Sequence, residues 1–198
     1  MSEIDLKNKN IRTDLIVESI TDDMLKTENI DDIRITRVVI DKHNEQKINK
    51  KQGNYITIEF KDVTDYENRE KVGKILENEL KKIIKENNIK DDDEALIVGL
   101  GNIKSTPDAL GPKVINNILV TRHLFELNLE VEKGIRKVSA FNPGVMGNTG
   151  IETMDIIESI VNKIKPKFII IIDSLCSLSV ERINLLLVYQ QVNILFHL

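Results

Sequence analysis

Two carboxylates in this chain stand where a parallel sheet would present them. Asp108 lies in "ALIVGLGNIKSTPDALGPKV", shortly after the apolar stretch Ala95–Leu100, and Asp173 comes directly after "FIIII", Phe168–Ile172. In an open α/β sheet ligands sit beyond the carboxyl ends of the strands, so both would be offered at one edge. Aspartates that share a site repel each other, which leaves one protonated and the other ionised. One could then activate a water while the other protonates a leaving group. The same residues also read as plain structure, Asp108 as a helix N-cap and Asp173 as a loop capper.

The other reactive residues form weaker patterns. Gly99-Leu-Gly101 begins a GxGxxG motif, but its third glycine position is Lys104, so a sharp exit from a strand fits better than a nucleotide. His123, beside Arg122, reads as favourable charge near a helix C-terminus. Cys176 follows Asp173 with no histidine near it in sequence, which gives a Cys–His nucleophile no support. No metal-ligand spacing links His43, His123 and His197. "NPGVMGNTG", Asn142–Gly150, gathers turn residues at a third strand end, where such loops shape the backbone of a site.

The elements that must hold these residues can be read from hydrophobic period. "LIVESI" (Leu15–Ile20) is β-prone, and "TDDMLKTENI" predicts a helix capped by Thr21. "IRITRVVID" and "YITIEF" alternate as half-buried strands, and a polar connection between them makes a hairpin. From about Val63 to Asn87, Val72, Ile75, Leu76, Leu80, Ile83 and Ile84 recur at the helical period. A strand–helix alternation follows: strand Ala95–Leu100, helix from about Asp108 to Phe125, and strand Lys137–Phe141. Next come a helix opening at Thr149–Glu152 with capping-box spacing, the strand "FIIII" and a further helix. Continuous apolar runs belong to a parallel sheet covered on both faces, so residues 95–184 read as a three-layer α/β core.

Composition sets the bounds. The 198 residues are 41% hydrophobic and 30% charged, enough apolar content for a packed core. A net charge of −4 with a pI near 5.5 argues against a general nucleic-acid binder. A single cysteine excludes an intrachain disulfide framework. The polar start lacks a signal-peptide core, and no apolar run reaches the roughly 18 residues that span a membrane. The chain reads as soluble and cytoplasmic, with no direct nucleic-acid or membrane partner.

Taken in order, "IRTDLIVE", "LIVGLGN", "TPDALGP", "LVTRHLF", "NPGVMGNTGIET", "KPKFIIIIDSL" and "SVERIN" resemble the germination (spore) endopeptidase family, from Ile11 to Asn184. The resemblance implies a three-layer, phosphorylase/hydrolase-like α/β sheet with helices on both faces, plus a small N-terminal β-hairpin subregion. That sheet also resembles the hydrogenase-maturation proteases and peptidyl-tRNA hydrolases. The implied activity is endoproteolysis of small acid-soluble spore proteins during germination, in the spore core, by an aspartate dyad corresponding to Asp108 and Asp173. The family also implies a homo-oligomer, a tetramer, and a zymogen that trims itself after an acidic residue. Here "RTDLIVES" offers the Asp14–Leu15 bond, which divides the chain into a leader (1–14), a protease domain (15–184) and a divergent tail (185–198). No cofactor is implied, although a metal has been proposed for the family.

After "SVERIN" the motifs give way to "LLLVYQQVNILFHL", which reads as a frameshifted or prematurely ended product. A truncated, inactive remnant of the protease is therefore a second reading. A peptidyl-tRNA hydrolase is a third, prompted by "VGLGN" and "TRH". It fits less well, because that family's strand opens the protein and an acidic chain suits tRNA poorly.

Overall fold

The computed structural model describes Ile16 and residues 25–48, 50–62, 64–175 and 185–191. The chain divides into two compact α/β units, one built from Met1–Ile83 with Leu175–Leu198 and the other from Ile84–Ser174.

The first unit is an antiparallel sheet with a long helix. Strands β1 (Lys26–Ile30), β2 (Ile33–Ile40) and β3 (Gly53–Glu59) follow one another, with the short helix α1 (Glu45–Ile48) between the last two. Helix α2 (Tyr66–Glu86) comes next, and Leu185–Gln191, the strand numbered β7 in chain order, closes a sheet ordered β1-β2-β3-β7. Alternation along β2 sends Ile33 and Ile35 to one face and Val38 and Ile40 to the other. The first pair joins Ile56 and Ile58 against Val72 and Ile75 of α2. The second pair packs with Ile16 and Tyr55. Within the helix-covered layer Arg37 reaches both Glu28 (2.8 Å) and the buried Glu79 (2.5 Å).

Three sequence expectations change in this unit. Lys26–Ile30, expected within a helix, is a strand that pairs with β2 across a tight turn at Asp31–Asp32, where Asp31 takes φ 52°. Cross-strand partners such as Glu28 with Arg37 outweigh the local helical tendency of an acidic, polar segment. The small hairpin subregion is a full four-stranded sheet. The tail supplies its fourth strand, because Leu186 and Val188 fall on the α2 face while Leu187 and Tyr189 fall on the other. The Tyr189 ring stacks on Tyr55 with centroids 4.4 Å apart. The β-prone Leu15–Ile20 segment (save Ile16), the Thr21 cap and the Asp14–Leu15 bond lie outside the described residues, as do residues 176–184 with Cys176 and 192–198 with His197.

The second unit is the parallel one. Strands β4 (Ala95–Gly99), β5 (Val138–Phe141) and β6 (Phe168–Ile172) form a sheet ordered β5-β4-β6, with the first strand in the middle. Helices α3 (Leu110–Ile115), α4 (Arg122–Glu126), α5 (Met146–Thr149) and α6 (Thr153–Ile164) connect the strands. Ile157 and Val161 of α6 bury Leu96 and Val98 on one face. Gly99, which alternation turns to the other face, lies against Gly111 and Ile115 of α3. The sheet therefore has helices on both faces, as the sequence predicts, although β6 is an edge strand that leaves Ile171 55% exposed.

The single helix expected over 108–125 is broken into α3 and α4. Asn117 bonds back to the Lys113 carbonyl, and Thr121 leaves the helical path to serve β5. The Thr121 N–H donates to Val138, while its hydroxyl donates to Arg136 and accepts the Val138 N–H. The capping box at Thr149–Glu152 does not form either. Thr149 ends α5 and its hydroxyl accepts the Ile151 N–H, whereas α6 starts after Glu152 with no side-chain cap.

Candidate active site

Both aspartates belong to the second unit, at the carboxyl edge of its sheet. After Gly99, β4 turns sharply through Gly101, whose φ of 114° is one that L side chains rarely adopt. The turn then folds back on itself. Asn102 N–H donates both to the Asp108 main-chain oxygen and to its Oδ2, each at 2.9 Å. Lys104 N–H donates to Asn102 Oδ1 at 3.0 Å, and a single 3₁₀ turn over Thr106–Asp108, opened by Pro107, delivers Asp108. Asp108 is thus not the N-cap of α3, a position held by Ala109 with no side-chain bond. Its half-buried carboxylate faces back to the turn that follows β4.

Asp173 arrives from the neighbouring strand. The Ile172 carbonyl, one residue before it, accepts the Leu100 N–H at 2.8 Å. That same carbonyl abuts α3: a Cβ built on Gly111 would lie 2.6 Å from it and 2.2 Å from the Leu100 oxygen. Strand ends β4 and β6 and the start of α3 therefore meet at backbone-to-backbone distance, which only glycine allows at 111. The Asp173 side chain is exposed, and its Oδ1 accepts the Ser174 N–H at 2.7 Å.

The third strand end contributes Asn142, which the sequence reading grouped with the turn residues of its loop and did not single out. Its Nδ2 donates to the carbonyls of Gly99 (2.6 Å) and Gly101 (3.3 Å), and its Oδ1 accepts Gly144 N–H at 3.1 Å. These partners leave one orientation for the amide. Its place immediately after a strand was the available signal.

The remaining candidates are elsewhere. Thr121 ties the start of α4 to Val138, the first residue of β5, so exposed His123 sits toward the opposite end of the sheet. Arg122, its neighbour, pairs with Glu94 just ahead of β4. His43 belongs to the first unit, where its N–H donates to Asp41. A groove of about 480 Å³ between β5 and α6, lined by Phe141, Ile160 and Lys163 among others, holds neither aspartate. Among the described residues no group of three or more His, Cys, Asp or Glu side chains could hold a metal ion. Among them, too, no helix is long and apolar enough to cross a membrane.

A parallel α/β sheet with turn-held carboxylates at its carboxyl edge defines a protein of the class that handles ligands beyond its strand ends. Comparison with known proteins narrows the class. The family model described as germination protease matches residues 2–194, a span that includes β7, where the quoted motifs run out. Germination proteases of Priestia megaterium, Bacillus cereus and Bacillus anthracis are each 44% identical to this chain, over 92%, 91% and 91% of its length respectively. The chain belongs to the germination protease family. It spans 54% of the length of each of those relatives.

Proposed function

We propose that this chain acts as an endopeptidase of the germination protease type, with small acid-soluble spore proteins as substrate and Asp108 and Asp173 as its catalytic pair. The observation that carries the reading is that both carboxylates stand at one sheet edge, Asp108 held by a backbone N–H and Asp173 open to solvent. A fixed carboxylate suits the orientation of water. As water adds to the peptide carbonyl, Asp108 takes its proton; as the C–N bond breaks, a protonated Asp173 gives one to the departing amine. The products are a carboxylic acid and a free amine, and the pair returns to its starting state once its proton is exchanged.

The same chemistry, turned on the chain itself, would cut Asp14–Leu15 and release a 14-residue leader. Homo-oligomeric assembly as a tetramer and a place in the spore core complete the reading. A second reading is a folded but catalytically silent chain that binds protomers of its family.

A digest decides between them. The folded chain is mixed with a small acid-soluble spore protein, and products are mapped by mass spectrometry beside Asp108→Asn and Asp173→Asn. One cut after an acidic residue, absent from both variants, supports the dyad. No cut from demonstrably folded protein overturns the catalytic reading in favour of the silent one.

A further inference from the structure

The Gly101–Asn102 peptide group is held from both of its polar ends. Its carbonyl accepts from Asn142 Nδ2, and its N–H donates to Asp108 Oδ2. Asn142 also grips the Gly99 carbonyl two residues earlier, at the end of β4. One side chain on the β5 loop therefore holds the carbonyl end of a peptide whose N–H end is shared between the Asp108 carboxylate and the Asp108 main-chain oxygen. We propose that Asn142 is a positioning residue: by aligning this peptide it sets the direction in which the Asp108 carboxylate is held.

The chemistry supports that assignment over a merely structural one. Asn142 is exposed while Gly99 and Gly101 are buried, so its amide both satisfies their carbonyls and holds them in direction, and a water in its place could do only the first. What water could not supply is a fixed direction. Gly101, at φ 114°, has the freedom to let this peptide rotate, and a rotated peptide would carry its N–H away from Oδ2. A bonded amide also polarises the peptide it grips, which strengthens the N–H as a donor at the far end. A side chain that can donate two hydrogen bonds and accept one at the same moment is needed at 142, and asparagine is short enough to make all three there.

The proposal rests on Asp108 being part of the chemistry, and its test does not require cleavage. In an amide proton spectrum, the Asn102 N–H should shift as pH passes through the carboxylate range, because it is bonded to Asp108. Asp108→Asn should abolish that dependence. Asn142→Ala, and Asn142→Leu as a shape-preserving partner, should reduce its amplitude by about half or more, since the donor loses its alignment and polarisation. Unchanged amides at Ile97 and Val98 would report that β4 is intact.

An undiminished amplitude in either folded variant overturns the proposal. So does an Asn102 amide in the unmutated chain that follows no carboxylate, an outcome that needs neither variant to fold. Retention of the coupling in a chain that cuts nothing would keep the positioning role and remove only the activity.

Discussion

The two units solve opposite problems. The first unit is built from branched aliphatic residues that fill space: Ile33, Ile35, Ile58 and Val38 are all at or below 1% exposure. Each such side chain contributes about 1.5–3 kcal/mol by leaving water. The second unit, at the edge where the aspartates stand, is built from residues that vacate space. Gly99, Gly101 and Gly111 let three pieces of backbone come within reach of one another, and hydrogen bonds rather than apolar contacts set the geometry. A core tolerates many hydrophobic combinations of the right volume, whereas a backbone junction tolerates only its own shape.

That contrast can be broken in order of effect. The largest belongs to function: Asp108→Asn or Asp173→Asn should lower cleavage of a spore protein about 100- to 10,000-fold with the thermal transition unchanged, because proton transfer is lost and packing is not. A drop in the melting temperature equal to that of a core variant would show that the carboxylates serve structure. Next is the first unit's core, where Ile58→Ala should cost about 2–5 kcal/mol in denaturant titration. The Asn102 and Asp108 amides should keep their shifts if the units are as separate as their cores.

Gly111→Ala should cost about 1–3 kcal/mol by overpacking, and should disturb the Leu100 and Asp173 amides first. Gly73→Ala, in the exposed interior of α2, meets nothing within 4 Å and should instead stabilise by about 0.5–1 kcal/mol. A penalty at Gly73, or none at Gly111, would erase the distinction between idle and required glycines.

The smallest effect is one of pH. All three tyrosines, Tyr55, Tyr66 and Tyr189, fall in the first unit. Burial raises the hydroxyls of Tyr55 and Tyr189 above their ordinary value of 10.0, with the neighbouring tyrosine adding to the rise at Tyr55. The folded state therefore holds protons that the unfolded chain gives up first. This contribution to stability is complete below pH 10.0 and is lost as pH climbs through the raised values. Tyrosinate absorbance should appear late and together with loss of the antiparallel sheet. Titration of the Tyr55 and Tyr189 rings at the ordinary value would show that their stack is open.

How much of this was legible depended on how far away the deciding partner lies. Ala95–Gly99 and Phe168–Ile172 could be read because apolar runs bounded by turn residues carry their own signal. So could the sheet edge to which Asp108 and Asp173 come. The break between α3 and α4 could not, because Thr121 is claimed by Arg136 and Val138, residues that no local window includes. β1 was misread for the same reason, since its strand is specified by β2. Asn142 looked like any turn residue until the carbonyls of Gly99 and Gly101 were seen to lie against it. Leu185–Gln191 looked like a stray tail because the strand that receives it was written far earlier in the chain.

That last pairing has a consequence for how the molecule comes into being. β3 spans Gly53–Glu59, yet its neighbour β7 is Leu185–Gln191, so the loop they close contains the whole of the parallel unit. Closing a long loop costs entropy before any contact rewards it, and non-local strand pairing slows folding. During synthesis, Ile84–Ser174 is out in full before β7 exists, while the first sheet waits with β3 as an open edge. The unit that carries the aspartates is thus free to assemble first, and β1, β2 and β3, made before it, gain their fourth strand only after it.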